Sequence, residues 1–202
     1  MKLSNNEQMI LEVARSLPSN MLAQVVFLGG SVVSLLITEP GFIGIRPTKD
    51  VDLIIDTNRR HYHKFESDLQ SAGFKQVVDE DPPVICRWRI NSVLVDIMPC
   101  DSDILGFSNK WYSSAVKHAQ RRLLEDIEIK LVTAPYFLAT KVEAFLSRGN
   151  NDFMASSDIE DIITLLDGRS EIVSEIRASE KSLKAFLSQT FTNWLSKNAF
   201  LN

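Results

Sequence analysis

Cysteine, long apolar runs and surplus positive charge are all scarce in this sequence. The two cysteines, Cys86 and Cys100, stand outside any CxxC pair and away from metal-ligand spacing, so neither a disulfide scaffold nor a zinc site is expected. Such sparse use suits a reducing compartment. No uninterrupted apolar stretch approaches the ~18–20 residues of a membrane span. The opening Met1-Lys2-Leu3-Ser4-Asn5-Asn6-Glu7-Gln8 turns polar and acidic where a signal peptide carries its apolar segment, and a cytoplasmic protein is the expectation. A formal net charge of −4 argues against broad, non-specific nucleic-acid binding, which needs a basic surface. A local patch from Lys110, Lys117, His118, Arg121 and Arg122 stays open, though so loose a grouping reads as a solvated face. His61 and His63, two apart in a helical stretch, diverge and do not make a metal pair.

What is present is an ordinary globular composition, 45% hydrophobic and 24% charged over 202 residues, enough to bury a real core. Apolar Met9, Ile10, Val13 and Ala14 recur at helical spacing, which predicts a helix over 5–16 with Asn5 or Asn6 as its cap. Val25-Val26-Phe27-Leu28 reads as a buried strand, broken by Gly29-Gly30, with a second helix opening at Ser31 and running through Ile37. A loop follows to Pro47, then a strand over 50–55. Asn58 caps a helix to about Ser71. Val84 to Ile90 and Val93 to Met98 read as two strands joined by a tight turn at Asn91-Ser92, with Arg87 and Arg89 opposed to Cys86, Trp88 and Ile90. Trp88 and Trp111 read as core or cleft wall. Ala119 to Leu123 and Ile127 to Val132 suggest further strand pairing.

From Pro135 the chain turns helical: one helix to Arg148 halted by Gly149, then three more near 156–167, 170–177 and 180–197. The last carries a stripe of Leu183, Phe186, Leu187, Trp194 and Leu195. The expected class is therefore mixed α/β (α+β), with residues 1–134 as one domain and a C-terminal helical bundle, 135–202, packed on it around a shared cleft.

The chemistry lies in the acids. Asp50 and Asp52 are two apart on a strand and share one face, while Val51 and Leu53 point into the core. Crowded carboxylates repel unless a cation neutralises them, and hard cations such as Mg²⁺ take oxygen ligands of this kind. Asp96 sits inside the apolar strand 93–98 and needs a partner there. If its strand lies beside that of Asp50, three carboxylates converge, enough for two metal ions about 3.5–4 Å apart. Only its strand context selects Asp96 over Asp101 or Asp103. Upstream, Gly29-Gly30-Ser31 forms a strand–turn–helix where glycines admit a ligand close to the backbone and helix N–H groups face phosphate. Arg46 and Lys49 stand near enough to reach a phosphate, or to serve at the surface.

Taken together, GGSVVSLL at 29–36 and RPTKDVDLII at 46–55 resemble the nucleotidyltransferase signature of the DNA polymerase β-like superfamily. That resemblance implies a nucleotidyltransferase-type sheet flanked by helices. It also implies Gly29, Gly30 and Ser31 at the nucleotide phosphates, Mg²⁺ (or Mn²⁺) on Asp50 and Asp52, and Asp96 as third ligand and general base. The stretch from Ala134 to Lys141, followed by Asp158-Ile159-Glu160-Asp161, is similar to the AbiEii group of bacterial toxin nucleotidyltransferases. There a helical lysine contacts the triphosphate, implying that role for Lys141, with Asp158 and Asp161 on the next helix. Three apart, those two acids share a helix face and can orient Lys141 or Arg148, or serve in capping and ion pairing. The implied activity is transfer of a nucleoside monophosphate from an NTP to a hydroxyl of tRNA or protein, by a toxin paired with an antitoxin. Two alternatives remain: an aminoglycoside-type enzyme with a small acceptor, and an inactive nucleotide-binding relative.

Overall fold

The computed structural model describes residues 3–78, 84–148 and 152–196, without the Arg148 side chain. The expected stop at Gly149, the loop at 150–151 and the helix end at 197 lie outside the described residues. Helix α1 (Asn5–Ser16) is capped by Ser4 in a capping box with Glu7, not by Asn5 or Asn6. Asn6 turns inward instead, 4% exposed. After α2 (Ser19–Leu22) comes β1 (Val25–Leu28), whose four residues are all buried, as a continuous apolar run requires. The helix expected from Ser31 is a 3-10 turn over Gly30–Val32 followed by α3 (Val33–Leu36).

Strand β2 (Asp50–Ile55) precedes α4 (Arg59–Ser71), capped by Asn58 as expected. A two-residue strand, β3 (Lys75–Gln76), pairs with β4 (Arg87–Ile90), which starts later than the expected Val84 because residues 85–86 form a turn. The turn at Asn91, with φ 50°, leads into β5 (Val93–Pro99). Two short helices, α5 (Ser102–Leu105) and α6 (Tyr112–Lys117), precede the hairpin of β6 (Gln120–Leu124) and β7 (Ile127–Leu131). Helices α7 (Ala134–Arg148), α8 (Ser157–Gly168), α9 (Ile172–Ala178) and α10 (Lys181–Ser196) complete the chain.

The strands form one mixed sheet in the order β3-β4-β5-β2-β1-β7-β6. Central β2 is antiparallel to β1 and parallel to β5. Its register decides the site: Leu28 is opposite Asp52, Asp52 opposite Asp96, and Asp96 opposite Arg87. Directly paired residues point to the same face. Leu28, Asp52, Asp96 and Arg87 therefore form one row across four strands, with Asp50 two residues along β2 on the same side.

One continuous apolar core runs from α1 and the sheet into the C-terminal helices. Helix α7 is buried nearly all round, with Phe137, Leu138, Val142 and Phe145 at 0% exposure, and it packs against α6, α8, α9 and α10. Helix α8 is tied back to the α3 end, where the Gly168 carbonyl accepts from the backbone N–H groups of Thr38 and Glu39. On α10 the buried stripe is Leu183, Leu187, Thr190 and Trp194. Leu195 is 70% exposed and leaves the expected stripe, because it lies one helical position beyond Trp194 and turns outward. Trp88 and Trp111 are core residues.

Candidate active site

The acidic row lies at the base of two adjoining clefts. One, of about 280 Å³, is the more apolar of the two, with Leu28, Met98, Phe107 and Tyr112 in its walls. The other, of about 360 Å³, is polar and lined by Gly30, Arg46, Lys49, Asp50 and Arg87 among others. Asp52, Asp96, Lys141 and Asp158 border both and form the seam between them. The structure thus gathers Asp50, Asp52, Asp96, Gly29, Gly30, Arg46, Lys49, Lys141 and Asp158 around one place, with Asp161 immediately behind. It does not bring Ser31 there. That side chain is fully buried, its Oγ has no hydrogen-bond partner among the described residues, and it lines neither cleft. The rivals of Asp96 lie away from the row: Asp101 caps α5, and both Asp101 and Asp103 are exposed.

The glycines are required by close approach. Gly29 has φ +75°, and a Cβ there would lie 1.8 Å from Asp52 Oδ2. A Cβ on Gly30 would lie 2.6 Å from Arg46 Nη2 and 3.1 Å from Asp161 Oδ2. Both positions are therefore shaped by the chain's own charged groups, a second reason for glycine beside access for a ligand.

Arg46, which is half-buried, joins the buried Lys141, Asp158 and Asp161 in an ionic network. Arg46 donates from Nε and Nη2 to the two oxygens of Asp161, at 2.8 and 2.9 Å. Lys141 Nζ lies 3.0 Å from Asp158 Oδ1 and 2.7 Å from Asp161 Oδ2. Burial alone would lower the Lys141 ammonium; the charges of Asp161 and Asp158 outweigh it and hold the group above its ordinary value. The Arg46 guanidinium is raised chiefly by its hydrogen bond to Asp161. Ser156 caps α8, so the two aspartates serve ion pairing there and not the N-cap. Arg148, the other cation expected within their reach, has its side chain outside the described residues. The loop carrying Arg46 is fixed by Asn6, whose Nδ2 donates to the Arg46 carbonyl while its Oδ1 accepts from Thr48 N–H, each at 3.1 Å. Lys49 is exposed at the mouth of the polar cleft and makes no ion pair among the described residues.

Arg87 is a site residue that the alternating pattern of its strand does not single out. Its Nε and Nη2 donate to Asp96 Oδ1 and Oδ2, both at 2.8 Å, and Nη2 also reaches Asp50 Oδ2 at 3.1 Å. A signal for it exists in the hairpin. Counting outward from the two-residue turn at Asn91-Ser92 pairs Ile90 with Val93 and, three steps on, Arg87 with Asp96. Even with this cation beside it, Asp50 is raised above its ordinary value, first by burial and then by the charge of Asp96.

The donor set suits a hard divalent cation, since Asp50, Asp52 and Asp96 offer oxygens from one sheet face. It is not preassembled. Among the described residues no three such side chains stand ready around one point to hold a metal, and Arg87 spans Asp50 and Asp96. Part of the exposed basic cluster is paired with acids. Lys110 pairs with Glu143 at 2.6 Å, Arg121 with Glu128 at 2.9 Å, and His118 lies 3.6 Å from Glu180. His61 and His63 are exposed on α4. Both cysteine thiols are free, and burial pushes each up to about 12. Among the described residues no helix is long and apolar enough to cross a membrane.

No family model matches the sequence, and no curated protein matches it either. Solved structures do. An antigenic nucleotidyltransferase-like protein from Paracoccidioides brasiliensis matches at a TM-score of 0.55 and 20% identity, over 96% of this chain and 93% of that one. The antibiotic-resistance factor ANT(2'')-Ia matches at 0.50 and 16% identity, over 93% of this chain and 97% of the other. At such identity the likeness establishes architecture: the chain has the nucleotidyltransferase-like fold, with a mixed seven-stranded sheet and its acidic row at the base of two clefts.

Proposed function

We propose that this protein is a divalent-metal-dependent nucleotidyltransferase that moves a nucleoside monophosphate from an NTP to an acceptor hydroxyl. One observation carries the reading: Asp52 and Asp96 are direct neighbours on parallel strands, with Asp50 on the same face, and Gly29 packs so close to the Asp52 carboxylate that a Cβ there would collide with it. Mg²⁺, held by Asp50, Asp52 and Asp96, would supply charge neutralisation at the reacting phosphate.

The chain's own residues do the remainder. Lys49 borders the polar cleft and offers a triphosphate positive charge, beside Arg46 and Lys141, which are already paired with acids. The Arg46–Asp161–Lys141 network keeps these cations in fixed places, so their ordering is not left to the moment of binding. The acceptor oxygen bonds to the α-phosphorus, the bond to the β-phosphate oxygen breaks, and pyrophosphate leaves. The hydroxyl proton passes to a carboxylate of the row, for which Asp96 is the candidate. The apolar cleft then receives the nucleoside or the acceptor.

The similarity of the 134–161 stretch to the AbiEii group supports a toxin role, with tRNA or protein as acceptor and an antitoxin as partner. The pairing of Lys110 and Arg121 with acids favours a second reading, a small-molecule acceptor, because a tRNA acceptor calls for a basic rim. Incubating the protein with each α-labelled NTP, Mg²⁺ and a cell extract separates them by the fraction that becomes labelled. Asp52→Asn is expected to lose all signal; labelling that persists in it means the chemistry lies elsewhere.

A further inference from the structure

Arg87 occupies the ground that a cation shared by Asp50 and Asp96 would need. Its guanidinium grips Asp96 with two 2.8 Å bonds and reaches Asp50 with one 3.1 Å bond, from a side chain only 17% exposed. The two grips differ in kind. Asp96 is the cross-strand partner of Arg87, so that pair is set by backbone register and by fork geometry. The Asp50 contact is single, longer, and made to a carboxylate that is 31% exposed. A divalent ion between Asp50 and Asp96 would sit against a guanidinium of like charge, and in a partly buried site such repulsion is poorly screened.

We infer that Arg87 is an internal counter-ion for the acidic row: it holds Asp50 and Asp96 together without metal, and a divalent cation displaces it from Asp50. This rests on the metal-dependent reading above and adds a residue to it. Arg87 stays on Asp96, which it continues to orient. The Nη2 released from Asp50 then faces the cleft bordered by Arg46 and Lys49, where a phosphate oxygen can take the place of the carboxylate.

The test is Mn²⁺ binding to the nucleotide-free protein, followed by electron paramagnetic resonance or calorimetry, which needs no turnover. If Arg87 covers the site about nine-tenths of the time, removing it tightens binding about tenfold. Arg87→Met is therefore expected to bind Mn²⁺ about tenfold more tightly than the wild type, and to show a larger Mn²⁺-induced rise in melting temperature. Its melting temperature in EDTA should fall below that of the wild type, because the acids then face each other uncompensated. Arg87→Lys, whose ammonium lacks the forked two-bond grip on Asp96, is expected in between and serves if the methionine variant does not fold. Equal or weaker Mn²⁺ binding in the variants, with wild-type binding intact, overturns the counter-ion role and leaves the nucleotidyltransferase reading standing. No Mn²⁺ binding by any of the nucleotide-free proteins overturns the displacement of Arg87 by metal, while the labelling experiment above still decides the nucleotidyltransferase reading.

Discussion

Asp50 is held in an environment that disfavours its own charge, since burial and the nearby Asp96 both raise it above its ordinary value. A carboxyl group raised on folding binds more protons in the native state, so it lowers stability above its folded pKa and ceases to do so below its unfolded pKa of 3.8. Asp50→Asn is therefore expected to melt higher than the wild type in EDTA at neutral pH, with the gap narrowing as pH falls toward 4. A lower melting point at neutral pH would remove the account of Asp50 as a strained site acid. Lys141 behaves oppositely. Replacing it by Met leaves Asp158 and Asp161 buried with too little positive charge, a loss of about 3–5 kcal/mol by chemical denaturation, of which a second change, Asp158→Asn, should restore part. Gly29→Ala combines a left-handed backbone, about 1–3 kcal/mol of strain, with a collision against the Asp52 carboxylate. It should melt well below the wild type and bind Mn²⁺ more weakly. The shared face of Asp50 and Asp52 is legible in the sequence, because a two-residue spacing on a strand permits no other arrangement. Arg87 is harder to see, because its role depends on hairpin register and not on any motif of its own. Ser31 misleads for a related reason: the motif gives its place in the chain, but packing turns its hydroxyl inward.

At the scale of elements, α1 does more than cover the sheet. Asn6 ties the loop before β2 through two hydrogen bonds, so the position of Arg46 depends on a helix forty residues upstream. Asn6→Ala should lose about 1–2 kcal/mol of stability, and should raise the NTP concentration needed for half-maximal turnover more than it lowers the maximal rate. An unchanged half-saturation would mean the loop is held by other means. Elements with a strong apolar period, such as α1, β1, β2 and the C-terminal helices, are legible in the sequence. The segment from Asp101 to Lys117 is not, since helices of four and six residues carry too few turns to show a period. Strand β3 is equally hidden. Its two exposed residues, Lys75 and Gln76, have no burial pattern and exist as a strand only because β4 lies beside them.

Across the whole molecule, the helical half contributes to the same core as the sheet. Phe137, Leu138, Val142 and Phe145 of α7 are fully buried, and at roughly 1.5–3 kcal/mol each they rival the ~5–15 kcal/mol total stability of a typical domain. A chain stopped at Ala134 is expected to show no cooperative thermal transition by circular dichroism, and the full chain a single one. A cooperative melt of the shorter chain would instead mark the first 134 residues, the expected domain, as an independent folding unit. The helical half also completes the cleft, because Lys141 and Asp158 come from α7 and α8 while the acids come from β2 and β5. All of this converges on the claim that Asp50, Asp52 and Asp96 jointly hold divalent cations beneath a bound triphosphate. Crystals grown with Mn²⁺ and a non-hydrolysable NTP analogue test it most directly through the anomalous signal of the metal. Mn²⁺ bounded by those three carboxylates, with the triphosphate toward Lys49 and Arg46, is the expected result; Mn²⁺ and nucleotide bound elsewhere, with Arg87 still bridging Asp50 and Asp96, would overturn it.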